Sequence, residues 1–239
     1  MSDTPVHSQG PGSKSRVAYI VSRPAFWLCW VILAFGGSMT RAMVDASEPP
    51  PEYPVLGEVP EFQLIDQSGE AFSSESLHGK VWVASFLFTR CPTVCPTLAG
   101  NIFDVQHRTR NMGQSFHIVS FTVDPEYDTP PVLAEFAKTH RASHRVWTFL
   151  TGSPSEIQDT VVGGLKISMG SGDGSYEDPS EVFHGTHLVL VDTEMQIRGY
   201  YDSEDEEART DMLSAAGFLA NEAAHFPARP SPFNRNRSM

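Results

Sequence analysis

Two of the three cysteines in this 239-residue chain fall in Thr89-Arg90-Cys91-Pro92-Thr93-Val94-Cys95-Pro96. As thiolates, such residues attack disulfides and also bind soft metals. The pair therefore has two chemistries open to it, and the spacing alone does not choose between them. The segment follows the most apolar of the strand patterns and precedes a helical pattern. A four-residue separation at a helix start predicts both sulfurs on one face, about one turn apart. Pro96 suits a first helical turn, where its missing N–H costs nothing. The positive end of a helix should lower the thiol pKa values and favour thiolate. An ordinary structural disulfide is a poorer reading, because so short a loop removes little unfolded-state entropy. A closed zinc site would need four ligands. The third cysteine, Cys29, lies in an apolar N-terminal stretch and reads as a small apolar filler.

A third ligand has to come from elsewhere, and the chain holds nine histidines. His184-Gly185-Thr186-His187 stands out, because it abuts a strand at the end of a glycine-rich loop, Gly170–Ser175. An imidazole beside two thiolates makes a sound copper site, since thiolates suit Cu(I) and the nitrogen makes Cu(II) tolerable. His7 belongs to a polar tail, and His107, His140 and His144 read as helix-surface or loop residues.

The elements that must position these groups alternate along the chain. A strand is expected near Phe62–Asp66, a doubly buried one over Val81–Phe88, and others over His117–Val123 and Val146–Leu150. Helices are expected after Pro96, after Thr129-Pro130, and from a capping box at Ser153 and Glu156 with Ile157, Val161 and Leu165 in register. The chain then reads as a hairpin, Leu188–Val191 and Ile197–Tyr201, followed by a helix capped by Ser203 and Glu206. This order predicts an α/β fold with a mixed sheet flanked by helices. Loops at the strand ends can then converge on the cysteine segment.

Charge divides the chain in two. Residues 1–42 carry Lys14, Arg16, Arg23 and Arg41 against the single acid Asp3, whereas the rest holds 13 basic and 28 acidic residues, a net of −15. The overall −12 argues against a nucleic-acid partner. The expected organisation is a polar tail over 1–16 and a signal or membrane anchor over 17–42. A proline-rich linker then covers 43–56, the folded domain 57–224, and a second tail 225–239. The basic side of the apolar stretch stays cytoplasmic, so everything beyond it is exported. The product is either a membrane-anchored domain or, after cleavage, a secreted one.

Three segments together resemble the Sco/SenC family of exported thioredoxin-like copper proteins. They are Phe86-Leu-Phe-Thr-Arg-Cys91-Pro-Thr-Val-Cys95-Pro96, Phe121-Thr-Val-Asp124-Pro125-Glu-Tyr-Asp128-Thr129-Pro130, and His184 placed eight residues before Asp192. The similarity spans about residues 55–221. It implies a thioredoxin-like sheet, with Cys91, Cys95 and His184 as ligands of copper, Cu(I) or Cu(II). It implies a carrier that takes copper from another donor protein and delivers it to the CuA-bearing subunit of cytochrome c oxidase. It also implies a single membrane anchor at the N-terminus. Many members have an acidic residue before the histidine and Ser or Thr after it. Here these are Phe183 and Gly185, and His187 is an extra imidazole nearby. The spacing to Asp192 favours His184. Asp124 matches a position beside the cysteine loop, where it would orient the site. The alternative is a thiol-disulfide oxidoreductase that keeps the oxidase's copper-ligand cysteines reduced, with Cys91 attacking and Cys95 resolving. A thiol peroxidase on the same fold is a third reading.

Overall fold

The computed structural model describes residues 53–92, 94–167 and 186–225, together with 24, 25, 27, 28 and 30–32. The chain divides into two units, Met1–Glu52 and Tyr53–Met239. In the first, the described residues are helical, and Trp27, Leu28, Trp30, Val31 and Ile32 are each more than half exposed. Among the described residues no helix is long and apolar enough to cross a membrane. Cys29, most of the expected anchor, the proline linker before Tyr53, the glycine-rich loop and the C-terminal tail beyond His225 lie outside the described residues.

The described residues of the second unit form eight strands: β1 (Gly57–Glu58), β2 (Gln63–Asp66), β3 (Ala71–Ser73), β4 (Val81–Leu87), β5 (Phe116–Thr122), β6 (Trp147–Thr151), β7 (His187–Val191) and β8 (Gln196–Asp202). They form one sheet in the order β1-β8-β7-β4-β5-β6-β2-β3. The three central strands β4, β5 and β6 are parallel, and the neighbours on either side are antiparallel. Every residue of β4, β5 and β6 is buried, as expected for strands covered on both faces. Among the described residues of this unit, four α-helices connect or flank them: α1 (Val94–Arg108), α2 (Pro130–Thr139), α3 (Pro154–Gln158) and α4 (Glu206–His225). The expected α/β mixed sheet and its final antiparallel hairpin, β7–β8, are present. Strands β1 and β3 escaped the sequence pattern because two or three residues carry no measurable alternation.

Two polar groups pin the central strands in an otherwise apolar interior. Ser85 of β4 pairs directly with Ser120 of β5, their hydroxyls 2.7 Å apart, and the Trp147 indole N–H donates to Ser120 at 2.8 Å. Toward the start of β5, the His117 ring meets the Thr148 hydroxyl at 2.9 Å. At the β7–β8 turn, Asp192 Oδ1 accepts the N–H groups of Glu194 and Gln196, while Oδ2 accepts Arg198 Nε at 2.6 Å. Arg198 Nη1 also donates to the Tyr53 carbonyl at 2.6 Å, fastening the first residue of this unit to β8.

Two expectations need correction. The helix from Ser153 opens with the predicted capping box, but after Gln158 its backbone widens into a π-helical turn, Asp159–Gly164. Ile157, Val161 and Leu165 are nevertheless all buried. The adjacent glycines Gly163 and Gly164 favour helix weakly, and Gly164 faces Pro60 so closely that a Cβ would lie 3.0 Å from its ring. The last helix is not capped by Ser203. It begins at Glu206, and Asp205 Oδ1 accepts the Glu207 N–H at 2.8 Å. Ser203 is instead tied by its backbone, its N–H donating to Thr186 O and its carbonyl accepting from Asn101 Nδ2 and Arg209 Nη1.

Candidate thiol site

The sheet ends its β4–β5 pairing at Leu87 and Thr122, with one further bond from the Val123 N–H to Leu87 O. From there the two chains separate, β4 into the cysteine turn and β5 into the segment before α2. The Cys91 N–H donates to Phe88 O at 3.3 Å, closing a turn, and α1 begins only at Val94. Cys91 therefore stands outside the helix and only Cys95 lies in its first turn. The predicted one-turn, same-face arrangement is replaced by a turn residue and a helix residue whose thiols are hydrogen bonded to each other. No disulfide joins them.

The electrostatics also differ from expectation. Burial pushes the Cys95 thiol up from its ordinary value of 9.0 to about 12. The neighbouring Cys91 and the carboxylate of Asp128 push the same way, and a hydrogen bond from the Phe88 backbone opposes them. A helix N-terminus favours thiolate only while solvent or a counter-charge shares the work. Cys95 is 5% exposed, so desolvation wins. Cys91 is half-buried. The pair is therefore asymmetric, with one accessible sulfur and one sequestered behind it.

Two aspartates of the second motif hold the approach to Cys91. Asp124 Oδ2 accepts Arg90 Nε at 2.6 Å, and the guanidinium lies 4.9 Å from the Tyr127 ring centroid. Asp128 reaches further in and is fully buried. Its carboxylate accepts the Thr89 N–H (3.1 Å to Oδ2), the Thr89 hydroxyl, and the Thr122 hydroxyl at 2.6 Å. Thr122 Oγ1 in turn accepts the Asp124 N–H at 3.0 Å. Burial raises the Asp128 pKa, and the Thr122 and Thr89 hydrogen bonds oppose that rise. Backbone bonds from the N–H groups of Tyr127 and Asp128 to Asp124 O close the turn that folds Asp128 back. The inward turn of Asp128 is not legible in the sequence motif that contains it. Asp-Thr-Pro reads most simply as the start of a helix, and nothing local shows that the carboxylate turns inward.

His184 lies outside the described residues. His187 is exposed and opens β7, opposite Asp202 of β8. Strand β7 runs antiparallel to β4, so this first residue sits toward the same pole of the sheet as the cysteine turn. Of the other histidines, His140 lies against Phe136 with ring centroids 4.3 Å apart, and His107 meets Arg110 on the exposed face of α1. Among the described residues, no group of three His, Cys, Asp or Glu side chains could hold a metal ion. The thiols stand there as a pair.

Fold and site together define a thioredoxin-like protein carrying a Cys-x3-Cys turn between the central strand and the first helix. The SCO1/SenC family profile matches residues 55–215, and the chain belongs to that family. It is 35% identical over 162 residues to the SCO1 protein homolog of Bacillus subtilis (strain 168), covering 67% of this chain and 82% of that one. Its structure is similar to that of BsSco, described as a Sco-family cytochrome c oxidase assembly protein with a disulfide switch. The TM-score is 0.63 at 31% identity, over 72% of this chain and 99% of that one. It is also similar to ScoI of Bradyrhizobium japonicum with copper bound, at TM-score 0.54 and 26% identity, over 66% of this chain and 99% of that one.

Proposed function

We propose that this protein carries copper on the exported side of a membrane and delivers it to the CuA-bearing subunit of cytochrome c oxidase. Cys91, Cys95 and His184 are the ligands in this reading. The observation that carries it is the contact between an accessible and a buried thiol at the open pole of the sheet. It stands in a chain whose family includes BsSco, an oxidase assembly protein, and a copper-bound ScoI. Two sulfurs side by side suit Cu(I), and Cys91, half-buried and the more accessible of the two, offers an incoming thiolate a way to displace it stepwise. His187 at the start of β7 supports His184 as the third ligand, because three residues of chain span at most about 10 Å. An N-terminal anchor is supported by the exposed apolar side chains of Trp27, Leu28, Trp30, Val31 and Ile32. The −15 borne beyond residue 42 suits docking on a basic partner face.

The test is the copper stoichiometry and absorption spectrum of the full chain, beside His184→Ala and His187→Ala. One copper retained by the reduced protein, with its Cu(II) spectrum lost only in His184→Ala, is the expected result. No copper retained with both thiols reduced would sink the reading.

The asymmetry of the thiols also favours a second role, reduction of the oxidase's copper-ligand cysteines. Cys91 thiolate would attack one sulfur of the substrate disulfide, releasing the other as a thiolate and leaving a mixed disulfide. Cys95 would then attack Cys91, displacing the second substrate sulfur as a thiolate that takes up the Cys95 proton, giving the internal disulfide and a fully reduced substrate. Loss of copper in His184→Ala with disulfide reduction unchanged would separate the two roles.

A further inference from the structure

Beyond Leu87 the strand that delivers the cysteines has left the sheet, and the ladder no longer fixes where Cys91 stands. The support comes from a buried carboxylate 39 residues further along the chain. We propose that Asp128 is a positioning residue for the thiol pair, setting the place of Cys91 relative to Cys95 by holding Thr89 through its N–H and its hydroxyl.

The chemistry of the spot favours this over a passive structural role. A fully buried carboxylate is costly to desolvate unless several donors converge on it, and here three do, from Thr89 and Thr122. Two of the three belong to the residue two before Cys91. The third comes from the last paired residue of β5, so the carboxylate bridges the cysteine turn to the rigid sheet. Asp124 adds a second hold one residue later, at Arg90, but on an exposed side chain. Asp128 is the buried anchor. Without it, Thr89 would be left with an unpaired N–H, and the turn could swing Cys91 away from Cys95. Copper held between two sulfurs and a disulfide between them both require a narrow range of sulfur separation.

This inference rests on the thiols acting as a pair, and its copper readout rests on the proposed function. Asp128→Asn is the conservative variant, since its carbonyl still accepts the Thr89 N–H and the Thr122 hydroxyl and its amide donates to the Thr89 hydroxyl oxygen. Asp128→Ala removes every contact. Thr148→Val is the control, removing a buried hydrogen bond to His117 lower in the sheet. In the full chain, Asp128→Ala is expected to bind Cu(I) about 10-fold or more weakly and to shift the sulfur-to-copper absorption of its Cu(II) form. Asp128→Asn should stay near wild type, and Thr148→Val should lose stability without changing the spectrum. The Cys91–Cys95 disulfide should form less readily in Asp128→Ala at a fixed ratio of oxidised to reduced dithiothreitol. A wild-type spectrum, affinity and disulfide equilibrium in Asp128→Ala would overturn the inference. If Asp128→Ala does not fold, Thr89→Val keeps the N–H contact, loses the hydroxyl, and should move both readouts in the same direction. An unmoved Thr89→Val would then overturn it. If wild type itself binds no copper the proposed function fails, while the disulfide readout still decides the role of Asp128.

Discussion

Arg90 donates through Nε to Asp124 at 2.6 Å, joining the residue before Cys91 to the first aspartate of a motif more than thirty residues away. The guanidinium also lies over Tyr127, which is half exposed, so the three side chains form a rim beside the accessible thiol. Because Arg90 is itself well exposed, the pair contributes more to the place of the turn than to the stability of the domain.

Asp124→Ala should therefore leave the thermal midpoint almost unmoved and weaken copper retention by about 10-fold at most. Competition with a Cu(I)-specific chelator measures this. An equal loss of stability and retention would mean that the pair acts through folding.

Cys95 gives a distinctive alkaline profile. Its thiol is held protonated in the folded state up to about pH 12, whereas the unfolded thiol ionises near its ordinary value of 9.0. Between those values the folded state binds more protons, so stability falls as pH rises. The metal-free wild type should lose stability from pH 9 upward, and Cys95→Ser should lose less over the same interval. Urea unfolding at pH 8 and pH 10 decides it. In parallel, iodoacetamide should modify Cys91 in Cys95→Ser far faster at pH 8 than Cys95 in Cys91→Ser.

His117 gives an acid profile of opposite sense. Burial, with a lesser contribution from Lys80, lowers its pKa from 6.5 to about 4. The unfolded chain binds the proton first, so stability present above pH 6.5 is lost as pH falls toward 4. The loss is about 3 kcal/mol at most for a shift of that size. His117→Gln should flatten the profile between pH 7 and pH 4, as read by urea unfolding.

Arg198 is the hinge pin of the domain's first residue. Arg198→Ala removes charge-assisted bonds to Asp192 and to the Tyr53 carbonyl and should cost about 2–3 kcal/mol. Limited proteolysis near Tyr53 should also become faster than in wild type. Unchanged cleavage would mean that the Tyr53 ring, 5.7 Å from Phe218 between centroids, holds this residue without help.

Much of this was legible in the residues themselves. The apolar run of β4, the Thr129-Pro130 start of α2 and the Ser153–Glu156 box each state a local preference strong enough to survive folding. The Cys-x3-Cys segment announced itself by composition. What could not be read was the consequence of depth. A thiol at a helix N-terminus and a thiol behind that terminus are spelled alike, yet Cys95 lies on the side where burial outweighs the dipole. Asp124 and Asp128 likewise look interchangeable in the chain. One turns outward to an exposed arginine and the other inward to a backbone N–H, a difference made by how β5 ends against β4. The start of α4 at Glu206, with Asp205 rather than Ser203 before it, is not legible locally, because the Ser203 backbone is held by Thr186 from a distant part of the chain and its hydroxyl is buried without a partner.

The hydroxyl pair of Ser85 and Ser120, with the Trp147 indole, lies well below the thiols and touches none of them. Its consequence is nonetheless felt there. Apolar side chains tolerate a strand sliding past its neighbour, but three polar groups in a dry interior match in one alignment only. A slip of one residue between β4 and β5 would part the Ser85 hydroxyl from that of Ser120 and carry Thr89 about 3.3 Å past Asp128. The serines thus act as a vernier, and the spacing of two sulfur atoms at the rim is set by hydrogen bonds made in the middle of the sheet.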